Sequence, residues 1–596
     1  MKNTILTRFI AALIALCMIA AALTACNDAS DKAPNIPSNE SNENLYDLTG
    51  FTIVRDSMGG ATSAAYAAKL KQEIASSLGL SLEVALDSDR AAGDKEILIG
   101  STDRAESKAT IAYLDKKFDK NSFAVRIADG KIVLAGTDEI SIARAVQEFI
   151  SNYVRVSSVA ASIDVSAGFE IVAPYDEESV IKTSGGVDLH MDVISTVAKN
   201  DTKYNAADGT SFVPEDASYP SITELRYQQN PENNGKLIAI MSLKAMEIYS
   251  NGSTQACVMM SENGGKTWKA LARPTEQLFP SLGNVGTMAH LYELPAQVGE
   301  MPAGTLLYSY NAVNYDNPNG LNGKSILAVW RSFDCGVNWE EYVVIDEAKG
   351  IKEGIWEPFM IYGEEDGYLY CFYSDDSDPD HDQKIVYKRS KDGVNWEGKG
   401  GKIGTGTGKD VEPVDVVAVN TVAFRPGMPV ITKLGNGEYF MTYEQFGDGK
   451  KDWDGDCRIF YKTSKSLSDW GDPSDKGTMI PDVGNKKTAS SPSCAWLDVG
   501  GECGILLVTS KRSTNTGVIF VIFDYGKTWE TIEDPLKGTI ISEAGKDRVG
   551  YSAGLWIGAD GKTLYYVNST NSHNNPTGAK EIGFVKFRLY DALLVN

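Results

Sequence analysis

The chain changes its hydrophobic periodicity once along its length. Within residues 47–175, short apolar runs alternate with longer segments whose apolar residues recur at helical spacing, such as "AAYAAKLKQEIASSLGL" and "EISIARAVQEFISNYV". This alternation predicts a small α+β domain. Within residues 186–596 the helical spacing is absent, and short apolar strands alternate with glycine-rich turns, which predicts an all-β domain.

A turn motif repeats through the all-β region. "SENGGKTW" recurs with changes as "SFDCGVNW", "SKDGVNW", "SKSLSDW" and "FDYGKTW", each after an apolar strand. The copies are spaced by roughly 60–75 residues, which suits one four-stranded β-propeller blade, and the region is long enough for six blades. The motif resembles the Asp-box of sialidase-like propellers, so Asp334, Asp392 and Asp524 are expected to hold turns rather than to catalyse.

The N-terminus has the pattern of an export signal. A basic start and a short apolar run end at "LTAC", which resembles a bacterial lipobox. The resemblance implies that residues 1–26 form a lipoprotein signal with Cys26 as the lipidated residue; a plain secretory signal is the alternative. Residues 27–46, rich in Asn, Ser and Pro, are predicted to be a disordered tether. We therefore expect an extracellular protein anchored by lipid to the bacterial cell membrane.

Composition limits the chemistry that is available. The net charge of -23 argues against nucleic acid or an anionic membrane surface as a partner. The cysteines form no CxxC pair, and the four histidines are far apart in the sequence, so a zinc site or a histidine-centred triad is not predicted. We expect neither a metal nor a cofactor.

Two glutamates occupy unusual positions for charged residues. Glu357 lies between Trp356 and Pro358 at the start of an apolar strand, and Glu444 ends the apolar strand "YFMTYE". A carboxylate is costly in such a setting unless it has a use. In a propeller, first strands line the central channel, where two converging carboxyls can cleave a glycosidic bond, one as acid and the other as nucleophile or base. A surface charge or an arginine partner is the alternative for each.

Four stretches resemble glycoside hydrolase family 93, the exo-arabinanases with a six-bladed propeller. They are "GIWEPF", "YSDDSDPDHDQKIVYKRSKDGVNW", "FRPGMPVITKLGNGEYFMTYE" and "VGYSAGL". The resemblance implies that Glu357 is the general acid/base and Glu444 the nucleophile of a retaining mechanism. It also implies substrate-binding positions at Trp356, Tyr373, Asp375, Gln383, Arg425, Tyr443 and Tyr551.

The expected protein is thus a multidomain, mainly β chain, with a small α+β domain ahead of a six-bladed, sialidase-like propeller. The α+β domain resembles the ancillary domain of bacterial hexosaminidases. The expected activity is exo-hydrolysis of α-L-arabinofuranosidic linkages in linear arabinan from plant cell walls. An exo-sialidase and a non-catalytic carbohydrate-binding propeller remain alternatives; the Arg-containing opening strand of sialidases has no clear match around Arg226.

Overall fold

The computed structural model divides the chain into two compact units, with the boundary after Tyr175. Cys26, with the rest of the leader, and Tyr551 lie outside the residues that the structure describes. The described residues are 45–154, 161–165, 169–175, 180–200, 202–214, 217–243, 255–274, 287–313, 324–349, 354–404, 410–419, 424–446, 457–499, 503–510, 518–525, 527–536, 552–571 and 580–591.

The first unit is a mixed α+β sheet structure. Its strands are β1 (Leu45–Asp47), β2 (Thr52–Arg55), β3 (Glu83–Leu86), β4 (Glu96–Ile99), β5 (Ser122–Ala128), β6 (Lys131–Gly136), β7 (Ser162–Asp164) and β8 (Glu170–Pro174); its helices are Ala61–Leu78, Ala105–Lys117 and Glu139–Tyr153. One six-stranded sheet has the order β3-β2-β4-β6-β5-β8, and β1 pairs with β7. The strands β3, β2, β4 and β6 run parallel, whereas β5 is antiparallel to both of its neighbours.

Two of the three helices were predicted from the sequence. The first ends at Gly79, which takes a left-handed φ of 67° that suits glycine. The last begins after Asp138, whose carboxylate accepts a hydrogen bond from the backbone N–H of Ser141. The helix Ala105–Lys117 was not predicted, because its buried face holds Ser107, Thr110 and Leu114 and gives a weak apolar stripe.

The second unit is a six-bladed β-propeller, as predicted. Before the blades come β9 (Val180–Lys182), β10 (Val187–Ala198), β11 (Tyr204–Asn205) and β12 (Ser211–Phe212). The first blade consists of β13 (Ser218–Glu224), β14 (Leu237–Leu243), β15 (Gln255–Ser261) and β16 (Lys269–Ala272), and the second of β17 (Thr287–Glu293), β18 (Leu306–Val313), β19 (Lys324–Ser332) and β20 (Glu340–Lys349). The third consists of β21 (Ile355–Gly363), β22 (Tyr368–Asp375), β23 (Lys384–Ser390) and β24 (Trp396–Glu397), with β25 (Val414–Val417) beside β23, and the fourth of β26 (Gly427–Lys433), β27 (Tyr439–Phe446), β28 (Cys457–Ser464) and β29 (Thr478–Met479). The fifth consists of β30 (Ser493–Leu497), β31 (Ile505–Thr509), β32 (Val518–Ile522) and β33 (Trp529–Glu533), and the sixth contains β34 (Gly554–Ile557), β35 (Thr563–Asn571) and β36 (Lys580–Asp591).

The blades close into a ring around a central channel. The first strands of neighbouring blades contact each other in the circular order β13-β17-β21-β26-β30-β34 and back to β13. The early strand β10 pairs antiparallel with β36, so that the start of the propeller completes its last blade. The core lies between the blades, where apolar side chains of facing sheets pack together.

The Asp-box turns connect the third and fourth strands of the blades. The hydroxyl of Ser332 accepts a hydrogen bond from Gly336 N–H at 3.0 Å, and the carboxylate of Asp334 accepts one from Asn338 N–H at 2.9 Å. Because neighbouring strands are antiparallel, these turns lie at the end of each blade opposite to the start of its first strand. The structure therefore gives the box aspartates a turn-forming role.

Neither a disulfide nor a membrane-spanning helix occurs among the described residues. The cysteines Cys257, Cys335, Cys371, Cys457, Cys494 and Cys503 are free thiols. Within the same part of the chain, no helix combines the length and apolar character needed to cross a bilayer.

We predict that the substitution Ser332→Ala lowers the free energy of unfolding by about 1–2 kcal/mol, because it leaves the buried Gly336 N–H without an acceptor. Denaturant unfolding of the variant measures this loss. Replacement of the exposed Glu300 by alanine is the control and should change the unfolding free energy little. A Ser332 variant as stable as the native chain would contradict this account of the turn.

Candidate active site

A strained backbone residue marks the start of most first strands of the propeller. Positive φ angles occur at Tyr219 (49°), Glu357 (49°), Met428 (56°), Ser491 (58°) and Ser552 (55°). Side chains other than glycine rarely take this conformation, which costs on the order of 1–3 kcal/mol. The strained residues therefore recur at equivalent points of five blades, at the end of the propeller away from the Asp-box turns.

A β-bulge accompanies the strained residue. The pairing of β21 with β22 shifts register between Trp356 and Phe359, so that Glu357 and Pro358 together face Tyr373. The same shift follows Gly427 in β26 and Ser218 in β13. Proline, which has no N–H to donate, directly follows the strained residue at Glu357, as expected for a bulge. The bulge turns the Glu357 side chain out of the strand alternation and into the channel.

Glu357 is partly buried at the wall of the channel. Its carboxylate accepts a hydrogen bond from the hydroxyl of Ser374 at 2.6 Å. Burial, followed by the negative charge of Glu444, raises the pKa of Glu357 to about 8. At neutral pH this carboxyl therefore keeps its proton.

Glu444 is held by a backbone donor of the next blade. It is 6% exposed, and its Oε2 accepts a hydrogen bond from the N–H of Ser491 at 2.9 Å. Ser491 is the strained residue ahead of β30, so the strained backbone at the start of one blade directs an N–H at the carboxylate of its neighbour. A hydrogen bond of this kind favours the charged form of a carboxylate.

The two glutamates converge through the bulge of β26. Glu444 pairs directly with Gly427. The next residue, Met428, donates its N–H at 3.0 Å to the same Ser374 hydroxyl that bonds to Glu357. The electrostatic effect of Glu444 on Glu357 agrees with this short chain of contacts. Glu357 and Glu444, from two successive blades, are thus linked by this chain of contacts, and of the two Glu357 is the one that lines the cavity of the central channel.

A third carboxylate, Asp376, lies beside Glu357 and was missed by the sequence analysis. The indole N–H of Trp356 donates to Asp376 Oδ2 at 3.2 Å, and Arg425 Nη2 donates to the same oxygen at 3.1 Å. Arg425 also bonds to the side-chain carbonyl of Gln383. Burial raises the pKa of Asp376 to about 6, against the opposing effect of Arg425. Trp356, Gln383 and Arg425, all predicted from the resemblance, therefore meet around Asp376.

Gly427 makes room for this cluster. A Cβ atom at Gly427 would lie 2.3 Å from Gln383 Nε2 and 3.2 Å from Ser374 Oγ. Only glycine permits this approach, because any other residue would displace the Gln383 amide from the region between the two glutamates. The "RPGMP" sequence therefore contains both the arginine and the glycine on which the cluster depends.

Three other predicted residues point elsewhere. The Tyr373 hydroxyl donates to Asp346 in the core between blades, and the Tyr443 hydroxyl donates to the carbonyl of Lys476. The carboxylate of Asp375 accepts hydrogen bonds from the N–H and hydroxyl of Ser377, and does not contact Glu357. The substrate-binding role expected of these three residues has no support in their contacts. For Tyr373 and Asp375, alternation along β22 explains this, because Ser374 between them takes the direction that faces Glu357.

A cavity of about 290 Å³ follows the channel axis. Residues from the first strand of every blade line it, including Glu357. His290 also lines the cavity, and its Nδ1 accepts a hydrogen bond from the N–H of Met360 in the next blade at 3.1 Å. Burial lowers the pKa of His290 to about 3, so the imidazole is neutral and links two blades.

The described part of the chain offers few groups that could bind a metal ion. There, no three His, Cys, Asp or Glu residues are grouped so that they could hold an ion. The Asp376 carboxylate instead forms an ion pair with the Arg425 guanidinium.

Comparisons with known proteins place the chain near propeller structures. No family model matches the sequence, and no curated protein matches it. An α-L-arabinofuranosidase of glycoside hydrolase family 93 from Fusarium graminearum, complexed with arabinobiose, is 22% identical over 66% of this chain and 98% of its own, with a TM-score of 0.49. A Penicillium chrysogenum α-L-arabinanase, also with arabinobiose, is 23% identical over 68% and 100%, with a TM-score of 0.49. A Trypanosoma rangeli sialidase is 12% identical over 66% and 59%, with a TM-score of 0.39.

We predict that His290 makes stability depend on pH. Its pKa is about 3 in the folded chain and near the ordinary 6.5 when unfolded, so the unfolded chain binds the proton first as pH falls. The stability that the neutral imidazole contributes is complete above pH 6.5 and is lost progressively as pH falls from there towards 3.

The variant His290→Asn keeps an acceptor for the Met360 N–H but does not titrate. Denaturant unfolding at pH 7 and pH 4.5 should show a smaller loss of stability in the variant than in the native chain. Equal losses would contradict this account of His290.

Proposed function

We propose that the propeller is a retaining exo-glycosidase that cleaves α-L-arabinofuranosidic linkages of neutral plant polysaccharides such as linear arabinan. The observation that carries the proposal is the pair of glutamates with different environments. Glu357 is held protonated by burial and by a neighbouring negative charge, whereas Glu444 receives a backbone N–H. Pairs of carboxyls with such contrasting environments divide acid and nucleophile roles between them.

In the proposed first step, Glu357 donates its proton to the glycosidic oxygen while Glu444 attacks the anomeric carbon from the other side. The leaving sugar departs with the proton, and a covalent glycosyl-Glu444 ester remains. In the second step, the Glu357 carboxylate takes a proton from water, the water oxygen attacks the anomeric carbon, and the ester bond to Glu444 breaks. Retention requires the two carboxyls to be about 5–5.5 Å apart, and this separation remains a prediction.

The charged groups around Glu357 and Glu444 favour a neutral sugar as the substrate. Of the charged groups that act most strongly on Glu357, Glu444 and Asp376 are negative and Arg425 alone is positive. Arg425 is already bonded to Asp376 and Gln383. An anionic sugar would therefore approach carboxylates without a free arginine cluster to receive it. Arg226, the candidate considered for a sialidase, lines the same cavity but follows the end of β13 opposite to the strained Tyr219.

The substrate, the exo mode of cleavage and the cellular location are proposed from the sequence. The four stretches that resemble family 93 support arabinan as the substrate and an exo mode of cleavage. The lipobox around Cys26 supports a location at the outer face of the cell membrane. The ancillary unit has no assigned part in the reaction.

We predict that Glu357→Gln and Glu444→Gln each lower hydrolysis of linear arabinan by about a thousandfold or more. The two variants should differ with an aryl arabinoside whose leaving group needs no proton. There the Glu357 variant keeps glycosylation, and azide restores turnover with a retained glycosyl azide. Azide with the Glu444 variant should form the inverted product, because the small anion takes the place of the missing nucleophile.

The control is Glu364→Gln, which changes an exposed glutamate just past the opposite end of β21 and should leave hydrolysis unchanged. Product analysis with arabinan and with sialyl-lactose separates the alternatives. Release of sialic acid would identify a sialidase, and binding of arabinan without turnover by the native chain would identify a carbohydrate-binding propeller.

A further inference from the structure

We propose that Asp376 and Arg425 form a buried charge pair that positions Trp356 and, through Trp356, the adjoining acid Glu357. Asp376 is thereby a positioning residue of the active site rather than a catalytic one. This inference rests on the proposed role of Glu357 as acid.

The backbone around Asp376 ties the end of one strand to the start of another. Asp376 directly follows β22, and its N–H donates to the carbonyl of Gly354 at 2.8 Å, just before β21 begins. A Cβ atom at Gly354 would lie 2.2 Å from the Trp356 ring, so the indole rests on the bare glycine backbone. The Trp356 N–H then reaches Asp376 Oδ2.

This arrangement controls the backbone of Glu357. Trp356 is the residue immediately before Glu357, whose φ of 49° is unfavourable without support from its surroundings. An indole held by both Gly354 and Asp376 limits rotation on one side of the strained peptide. Pro358 limits it on the other side, because the pyrrolidine ring restricts the residue before it.

Arg425 makes the buried Asp376 charge tolerable. The side chain of Asp376 is 8% exposed, and a carboxylate so deeply buried needs a partner. Arg425 Nη2 is bonded both to Asp376 and to Gln383, so one guanidinium orders the acid and the amide next to Glu357. Removal of either charge leaves the other unmatched in the same pocket.

The charged groups of neighbouring elements shift the pKa of Glu357 in opposite directions. Glu444 from β27 and Asp376 after β22 raise the pKa of Glu357, and Arg425 ahead of β26 lowers it. His290 of β17 lines the same cavity as a neutral imidazole, and Tyr219 of β13 lines it with a phenol. Asp376 and Arg425 therefore place one negative and one positive group beside the Glu357 carboxyl.

The test compares the directions in which two substitutions shift the pKa of Glu357. The alkaline limb of the pH profile of kcat/KM reports the acid in the free enzyme. With linear arabinan, whose leaving sugar needs the proton, Asp376→Asn should move this limb to lower pH and Arg425→Gln should move it to higher pH, each by about half a unit or more. The double variant should lie between the two single variants. Damage to the fold alone would not move the limb in opposite directions.

The matched control is Asp378→Asn, which removes an equal charge from the same loop. Asp378 is paired with Lys384 at 2.7 Å and should leave the limb in place. A shift of the two single variants in the same direction, or no shift in either, would overturn the proposal. So would an equal shift in the control.

A second readout separates this proposal from the proposed function. Infrared titration follows the protonated carboxyl band of Glu357, identified by its loss in Glu357→Gln, and requires no turnover. Shifted midpoints of the predicted signs in a chain that cleaves no glycoside would retain the pair and reject the enzyme. Unchanged midpoints in an active enzyme would reject the pair and retain the enzyme.

Discussion

The candidate active site depends on a strained backbone at the start of the first strands of the propeller. In five blades a residue other than glycine takes a positive φ there, and in β21 that residue is Glu357. A regular strand would alternate its side chains and place this carboxyl elsewhere. The bulge adds one residue to the strand and turns the Glu357 side chain towards the channel. The ring of six blades supplies the rigidity that holds such a conformation.

Contacts between blades then give the two carboxyls different character. Ser374 of one blade bonds to Glu357 and receives the Met428 N–H of the next, and Glu444 receives the N–H of Ser491 from the blade after that. The same geometric device therefore serves two purposes. It exposes an acid to the pocket in β21, and in the later blades it aims N–H donors at the groups that flank this acid.

The sequence was sufficient to predict the repeat architecture, because the Asp-box recurs in five of the six blades and its turn chemistry is local. It also singled out Glu357 and Glu444 as candidates, since a carboxylate is conspicuous in an apolar strand. It did not distinguish Asp375 from Asp376. The two are adjacent, and which of them faces Trp356 and Arg425 is decided by how β22 ends, a tertiary property.

Other features depended on contacts that the sequence does not display. Tyr373 and Tyr443 appear in the motifs that resemble family 93, yet their hydroxyls bond within the core. In the sequence, a proline follows both Glu357 and Met428, and this repeat could have indicated the two strained positions. Its meaning becomes evident only when the register shifts are known.

The most direct test of the account is peptide mapping by mass spectrometry after reaction with a mechanism-based arabinofuranosyl inhibitor that traps the glycosyl-enzyme. The account predicts a single adduct on the peptide that contains Glu444, and none in Glu444→Gln. An adduct on a tyrosine or on Glu357, with Glu444 unmodified, would contradict it.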